Sequence, residues 1–225
     1  MSNDTVVFIP ARGGSKRIPR KNICDLNNFP LISYTITFSL IGLHVPTYVS
    51  TEDPQIAAIS KLWGAKVIDR PEELAKDDSL DIDWIRHAIS CLPKTPKKIL
   101  LLRTTTPLRN LKIVKEAIKS FTKNYSSLRS VEVITEAIEK TLRLRDGLLH
   151  SAFNDEKKSL APNQSFETSY KANGYIDILR PECIRKNKTI YGNRCFGFVT
   201  PRTAEIDTPE DLEYAKFLLQ KHSHI

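Results

Sequence analysis

Two clusters of side chains in this sequence have the types and spacing for chemistry on phosphates. The first is Ala11-Arg12-Gly13-Gly14-Ser15-Lys16-Arg17-Ile18-Pro19-Arg20-Lys21-Asn22, where two adjacent glycines stand among five basic side chains. Glycines let backbone N–H groups approach an anion with no side chain in the way, Ser15 adds a hydroxyl donor, and Arg12 and Lys21 can neutralise charge. The spacing is neither G-x-x-x-x-G-K-S/T nor G-x-G-x-x-G, so neither a Walker-type NTPase nor a dinucleotide-binding loop is supported. A basic surface loop that binds nothing would have the same makeup. The second cluster is Glu205-Ile206-Asp207. In an extended segment its two carboxylates project to the same side, where they could share a divalent cation. From the spacing alone, an Asp207 that merely caps the next helix is the plainer account.

These residues need a scaffold, and the apolar periodicity supplies one. Residues 6–9 form a β-branched run short enough for a buried strand, broken at Pro10, and a helix follows from Leu31 with Ile32, Ile36, Leu40 and Leu43 near helical spacing. Strand character at 47–51, 65–68 and 99–102 alternates with helical faces at 54–64, 81–92 and 111–121. That alternation predicts an α/β fold, a mostly parallel Rossmann-like sheet flanked by helices. The rhythm changes from Arg129. After a strand at 131–134, residues 140–169 have weak periodicity, with a turn at Asp146-Gly147, which predicts a small inserted arm or lid around 138–170 within a single domain of 1–225. Strand character returns at 174–179 and 195–199. A last helix begins at Pro209, with Thr208 as N-cap and Glu210 and Asp211 in its positive first turn.

Composition narrows the class. The chain has 225 residues and a formal charge of +8, with its Lys and Arg spread along the whole length and no nucleic-acid-binding motif among them. A protein that binds a nucleoside triphosphate and an acidic small molecule would carry the same balance. Cys24, Cys91, Cys183 and Cys195 lack metal-ligand spacing and are expected to be reduced thiols. No apolar run reaches the length of a membrane span and no signal peptide is evident, so a cytoplasmic location without membrane partners is expected.

The run Ile9-Pro10-Ala11-Arg12-Gly13-Gly14-Ser15-Lys16, followed by Lys21-Asn22 and Pro30-Leu31, resembles the nucleotide-binding signature of sugar-acid cytidylyltransferases. It is most similar to that of the CMP-sialic acid synthetase (acylneuraminate cytidylyltransferase) family. Residues 205–212 resemble the family's D-I-D-x-x-x-D-L element, with Glu205 in place of the first Asp. Val49-Ser50-Thr51-Glu52-Asp53 is similar to its V-S-T-D strand end, and residues 101–109 resemble L-L-Q-P-T-S-P-L-R, with Arg103 for Gln and Thr104 for Pro. Asp77 and Asp83 match a further acidic stretch, with Asp83 expected to be structural. At the sugar end the family's R-Q, Tyr and Asn-Gly are matched by Asn163-Gln164, Tyr170 and Asn173-Gly174, so the arginine that could clamp a carboxylate is missing and Arg103 is its candidate substitute.

The resemblance implies a nucleotidyltransferase that activates a nine-carbon acidic ketosugar with CTP, the anomeric hydroxyl attacking the α-phosphate and pyrophosphate leaving. It assigns the nucleotide to Ala11, Arg12, Gly13, Gly14, Ser15, Lys21 and Asn22, and catalysis to Arg12, Lys21 and Asp207. Mg²⁺ falls to Asp207 and Glu205, and the sugar to Arg103, Thr105, Gln164, Tyr170 and Asn173. It also implies a homodimer joined through the arm, and no nucleic-acid partner. His87 and His150 receive no role. An eight-carbon sugar acid, another nucleoside triphosphate, or a non-catalytic nucleotide- or RNA-binding module remain as alternatives.

Overall fold

The computed structural model describes residues 4–186 and 189–222. In chain order the elements are β1 (Thr5–Pro10), β2 (Asp25–Leu26), β3 (Phe29–Pro30), α1 (Leu31–Thr37), β4 (Thr47–Thr51), α2 (Pro54–Leu62), β5 (Lys66–Asp69), α3 (Asp81–Ser90) and β6 (Lys98–Leu101). They continue with α4 (Leu111–Ser120), β7 (Ser127–Val133), β8 (Leu142–Arg145), β9 (Leu148–Ser151), α5 (Glu156–Ser159), β10 (Tyr170–Leu179), α6 (Pro181–Lys186), β11 (Cys195–Val199) and α7 (Pro209–His222).

Seven strands form the main sheet in the order β11-β7-β10-β6-β1-β4-β5. Every neighbouring pair is parallel except the two that β10 makes with β6 and β7. The central strands are apolar because both faces are covered: Val7 and Ile9 face one core with Ile32, Ile36 and Val114, while Val6 and Phe8 face another with Trp84, Ile85 and Ile89. A third cluster, with Ile206 and Ala215, packs α7 beside the first loop. Capping fixes where helices begin. Asp53 accepts from the N–H groups of Gln55 and Ile56 to start α2, and Asn110 does the same for α4.

Two features depart from the sequence expectation. Strands β2 and β3 form a short hairpin turned by Asn27 and Asn28, both at positive φ, inside a stretch read as loop. Residues 174–179 are part of a ten-residue strand, β10, that runs against the sheet and shifts register between Ala172 and Asp177. The arm contains the β8–β9 hairpin, turned at Asp146-Gly147, and it leaves Leu144, Leu148 and Leu149 exposed.

Candidate active site

The parallel strands β1, β4 and β6 bring residues 11–22, 52–53 and 103–109 to one end of the sheet, where open α/β folds place ligands. A cavity of about 450 Å³ opens there. Arg12, Ser15, Lys21 and Asn22 line it from the first loop, and Arg103 and Thr105 from the end of β6.

The acidic pair comes from the far end of the chain and lines a second, smaller cavity of about 240 Å³ that Lys21 and Thr105 join to the first. Ile206 is fully buried and its N–H donates to the Thr105 carbonyl at 2.7 Å, which pins the segment beside β6 and turns Glu205 and Asp207 outward. Lys21 Nζ donates to Asp207 Oδ1 at 2.8 Å and to the Ile206 carbonyl at 3.1 Å, while Arg17 stands 3.7 Å from the same carboxylate. Asp207 is therefore no helix cap: Thr208 caps α7, its hydroxyl accepting from the Asp211 N–H at 3.3 Å, and the Asp211 carboxylate reaches back to accept from the N–H groups of Asp207 and Thr208 at 3.0 and 2.8 Å. Burial works against the Asp211 charge, yet those hydrogen bonds outweigh it and its carboxyl stays below the usual range. Burial, and then the neighbouring Asp207, push the Glu205 carboxyl up.

Several assigned residues also build the loop. Ala11 is buried and its N–H goes to the Ser50 carbonyl at 3.0 Å. The Gly13 N–H donates to Glu52 Oε1 at 2.6 Å, and a Cβ at Gly13 would stand 2.7 Å from Asp53 Oδ2, so this glycine lets β4's carboxylates approach the loop. Gly14 has open space around it. Asn22 spends its amide on the Arg12 carbonyl, at 2.8 Å, and on the Thr104 hydroxyl, which makes it a strut between the loop and β6. Arg20 grips both oxygens of Asp53 at 2.8 and 2.7 Å.

The sugar end needs the larger correction. Gln164 is exposed in the arm, and Tyr170, half exposed at the start of β10, pairs with Val133; neither lines the cavity. Asn173 is buried, donating to the Thr200 hydroxyl at 2.7 Å and accepting from the Tyr175 N–H at 3.3 Å across the β10 irregularity. Arg103 does line the cavity, but its guanidinium is held by Asp81 at 2.6 Å. It is oriented from behind as well. Arg109, partly buried and pushed down to about 9 by desolvation, donates to the Arg103, Gly174 and Tyr175 carbonyls.

Two other lining residues, Arg70 and Trp84, carried no sequence motif. Arg70 donates to the Ser50 hydroxyl and carbonyl at 3.0 and 2.9 Å and lies 4.9 Å over the Trp84 ring; burial lowers it to about 10, so it stays charged at neutral pH. Trp84 in turn donates to Asp81 at 2.8 Å. The one signal for Arg70 was its place just after a strand's carboxyl end. Asp77 pairs with Arg12 at 2.8 Å and with Lys16. Beneath Arg103, Asp177 accepts from the Tyr191 hydroxyl at 3.1 Å and is pushed up to about 6, chiefly by burial. Among the described residues no group of three or more His, Cys, Asp or Glu is arranged to hold a metal, and no helix is long and apolar enough to cross a membrane.

The geometry agrees with what comparison finds. Residues 6–225 match the cytidylyltransferase family. The chain is 33% identical over 219 residues, 94% of each chain, to a pseudaminic acid cytidylyltransferase of Campylobacter jejuni. It is 31% identical over 235 residues, 96% of each chain, to the CMP-N,N'-diacetyllegionaminic acid synthase of Legionella pneumophila. In fold it is similar to a CMP:2-keto-3-deoxy-manno-octonic acid synthetase complexed with CTP, at a TM-score of 0.75, 18% identity and coverage of 97% of this chain and 99% of that one. With a family match along nearly all of its length and relatives this similar end to end, the chain belongs to the cytidylyltransferases, a family of nucleotidyltransferase enzymes.

Proposed function

We propose that this cytidylyltransferase transfers CMP from CTP to the anomeric hydroxyl of a nine-carbon acidic ketosugar, releasing pyrophosphate. The observation that carries this reading is the contact between the phosphate loop and the acidic pair: Lys21, which lines a cavity large enough for a nucleotide, is bonded to Asp207 of the neighbouring smaller cavity. The relatives above 30% identity along nearly their whole length bear the names of pseudaminic and legionaminic acid enzymes, and that supports the nine-carbon class over the eight-carbon one, which is represented by a similar fold at 18% identity.

In this reading Arg12 and Lys21, with Lys16 and Arg17, neutralise the phosphates, and Ser15 donates to one of them. Arg70 and Trp84 line the same cavity, linked to Arg103 through Asp81. Arg103 and Thr105 face the acceptor sugar. Glu205 and Asp207 line one cavity and suit Mg²⁺, a hard cation held by one or two carboxylates with phosphates and waters completing its shell. When bound, that ion supplies charge neutralisation at the phosphates and lowers the pKa of a hydroxyl that it touches. Gly13, Asn22 and Arg109 act by position, since each is engaged within the protein. The exposed leucines of the arm are the proposed contact of a homodimer.

The test is pyrophosphate release from CTP and Mg²⁺ across pseudaminic, legionaminic, sialic and ketodeoxyoctonic acids. Release that depends on a nine-carbon acid is expected. Release with the eight-carbon acid alone, or with another nucleoside triphosphate in place of CTP, would overturn the reading.

A further inference from the structure

All five basic side chains of the first loop stand near a protein carboxylate. Arg20 is clamped on Asp53, Lys21 and Arg17 face Asp207, and Arg12 and Lys16 take one oxygen each of Asp77, Arg12 at 2.8 Å. The three aspartates differ in what else holds them. Asp53 is mostly buried and caps α2. Asp207 is fixed by its neighbour Ile206, buried against β6. Asp77 is half exposed, sits between the short turn Glu72–Leu74 and α3 on a segment without regular structure, and has no partner among the described residues other than Arg12 and Lys16. The Ala75 carbonyl also accepts from Arg12, at 3.4 Å, so two groups of this strap occupy one guanidinium.

We propose that Asp77 is a displaceable counter-ion that competes with the terminal phosphates for Arg12 and Lys16, making the cavity selective for ligands that carry a pyrophosphate group and easing the departure of pyrophosphate. This rests on the reading of the cavity as a CTP site. A pyrophosphate group brings more charge and more acceptor oxygens than one carboxylate and can take an arginine through two hydrogen bonds, so it displaces Asp77 when it arrives. A single phosphate that reaches Lys21 alone has no need to displace it. When pyrophosphate moves outward, Asp77 is at hand to take its cations back. The hydrogen bond from Lys16, first, and that from Arg12 hold the Asp77 carboxyl below its usual range, so it is ionised wherever the enzyme would work.

The experiment is calorimetric titration of inorganic pyrophosphate, CTP and CMP into the full chain in Mg²⁺ buffer, comparing wild type with Asp77→Asn. Losing two partly exposed ion pairs should tighten pyrophosphate and CTP about threefold to tenfold and leave CMP unchanged, and stopped-flow dissociation of pyrophosphate should slow in proportion. Asp78→Asn, which removes the adjacent exposed charge, should leave all three affinities unchanged. Asp77→Ser repeats the test if the carboxamide alters the melting temperature. If CTP binds wild type but Asp77→Asn binds pyrophosphate equally or more weakly, or if Asp78→Asn matches Asp77→Asn, the counter-ion role is wrong while the CTP site stands. If neither protein binds CTP or pyrophosphate, the CTP site itself is wrong and the proposal falls with it.

Discussion

Lys21 and Asp207, 186 residues apart in sequence, meet through a 2.8 Å hydrogen bond between Nζ and Oδ1. One belongs to the loop after the first strand and the other to the turn before the last helix, so the contact closes the chain on itself at the cavity. Because Asp207 is partly exposed, the pair itself adds little stability. Lys21→Met and Asp207→Asn are each expected to lower kcat by on the order of 10²-fold or more. Thermal unfolding should stay within about 1 kcal/mol of wild type. A kcat loss matched by a large drop in melting temperature would make the contact structural.

Asn22 separates a role in position from one in direct contact. Its amide joins the Arg12 carbonyl to the Thr104 hydroxyl in a buried place. Asn22→Ala should cost about 1–3 kcal/mol by leaving those groups unsatisfied, and should raise the KM for CTP through a loosened loop. Wild-type stability with a raised KM would instead mean that Asn22 touches the nucleotide.

Asp177 gives a prediction in pH. Its carboxyl is raised to about 6 by burial, with Arg103, Arg129 and the Tyr191 hydroxyl pulling the other way and Asp81 adding to the rise. The folded protein thus holds this proton where the unfolded chain has lost it. Stability from this group is present in full below about pH 4 and is lost as pH rises through about 6. Asp177→Asn should therefore be more stable than wild type at pH 7, by up to ~3 kcal/mol, and little different at pH 4. Denaturant unfolding at the two pH values decides it; an equal effect at both would contradict the buried, protonated carboxyl.

The arm offers a test of assembly. Leu144 and Leu149 are 71% and 63% exposed on the β8–β9 hairpin, so their replacement leaves the core untouched. Leu144→Lys with Leu149→Lys should turn a sedimenting dimer into a monomer with an unchanged unfolding midpoint for the domain. A dimer of undiminished strength would place the interface elsewhere.

The scaffold was legible in the sequence because its signals are local. Residues 6–9 and 99–102 are apolar runs that can only be buried, and Thr208-Pro209 starts a helix on its own chemistry. The first loop and the acidic pair stood out as types of residue, though a plain basic loop and a helix-capping Asp would look the same; what the structure adds is their meeting through Lys21 and Asp207. What the sequence could not carry was direction and partnership. Asn173 and Gln164 follow the expected pattern of residues, yet one is consumed in the β10 irregularity and the other lies out on the arm. Arg103 was expected as a free carboxylate clamp, but Asp81, twenty-two residues earlier, already holds it. Arg70 lacks a motif because burial, which only the fold reveals, is what makes it informative.

The most direct test of the site is the Mg²⁺ dependence of CTP affinity, measured by calorimetry on wild type, Lys21→Met and Asp207→Asn. If loop and carboxylates hold one triphosphate and its metal, wild type binds CTP more tightly as Mg²⁺ is added. Lys21→Met should weaken binding with or without the ion, and Asp207→Asn should lose the response to the ion. An Asp207→Asn protein whose CTP affinity still rises with Mg²⁺ as in wild type would contradict the two-ended grip.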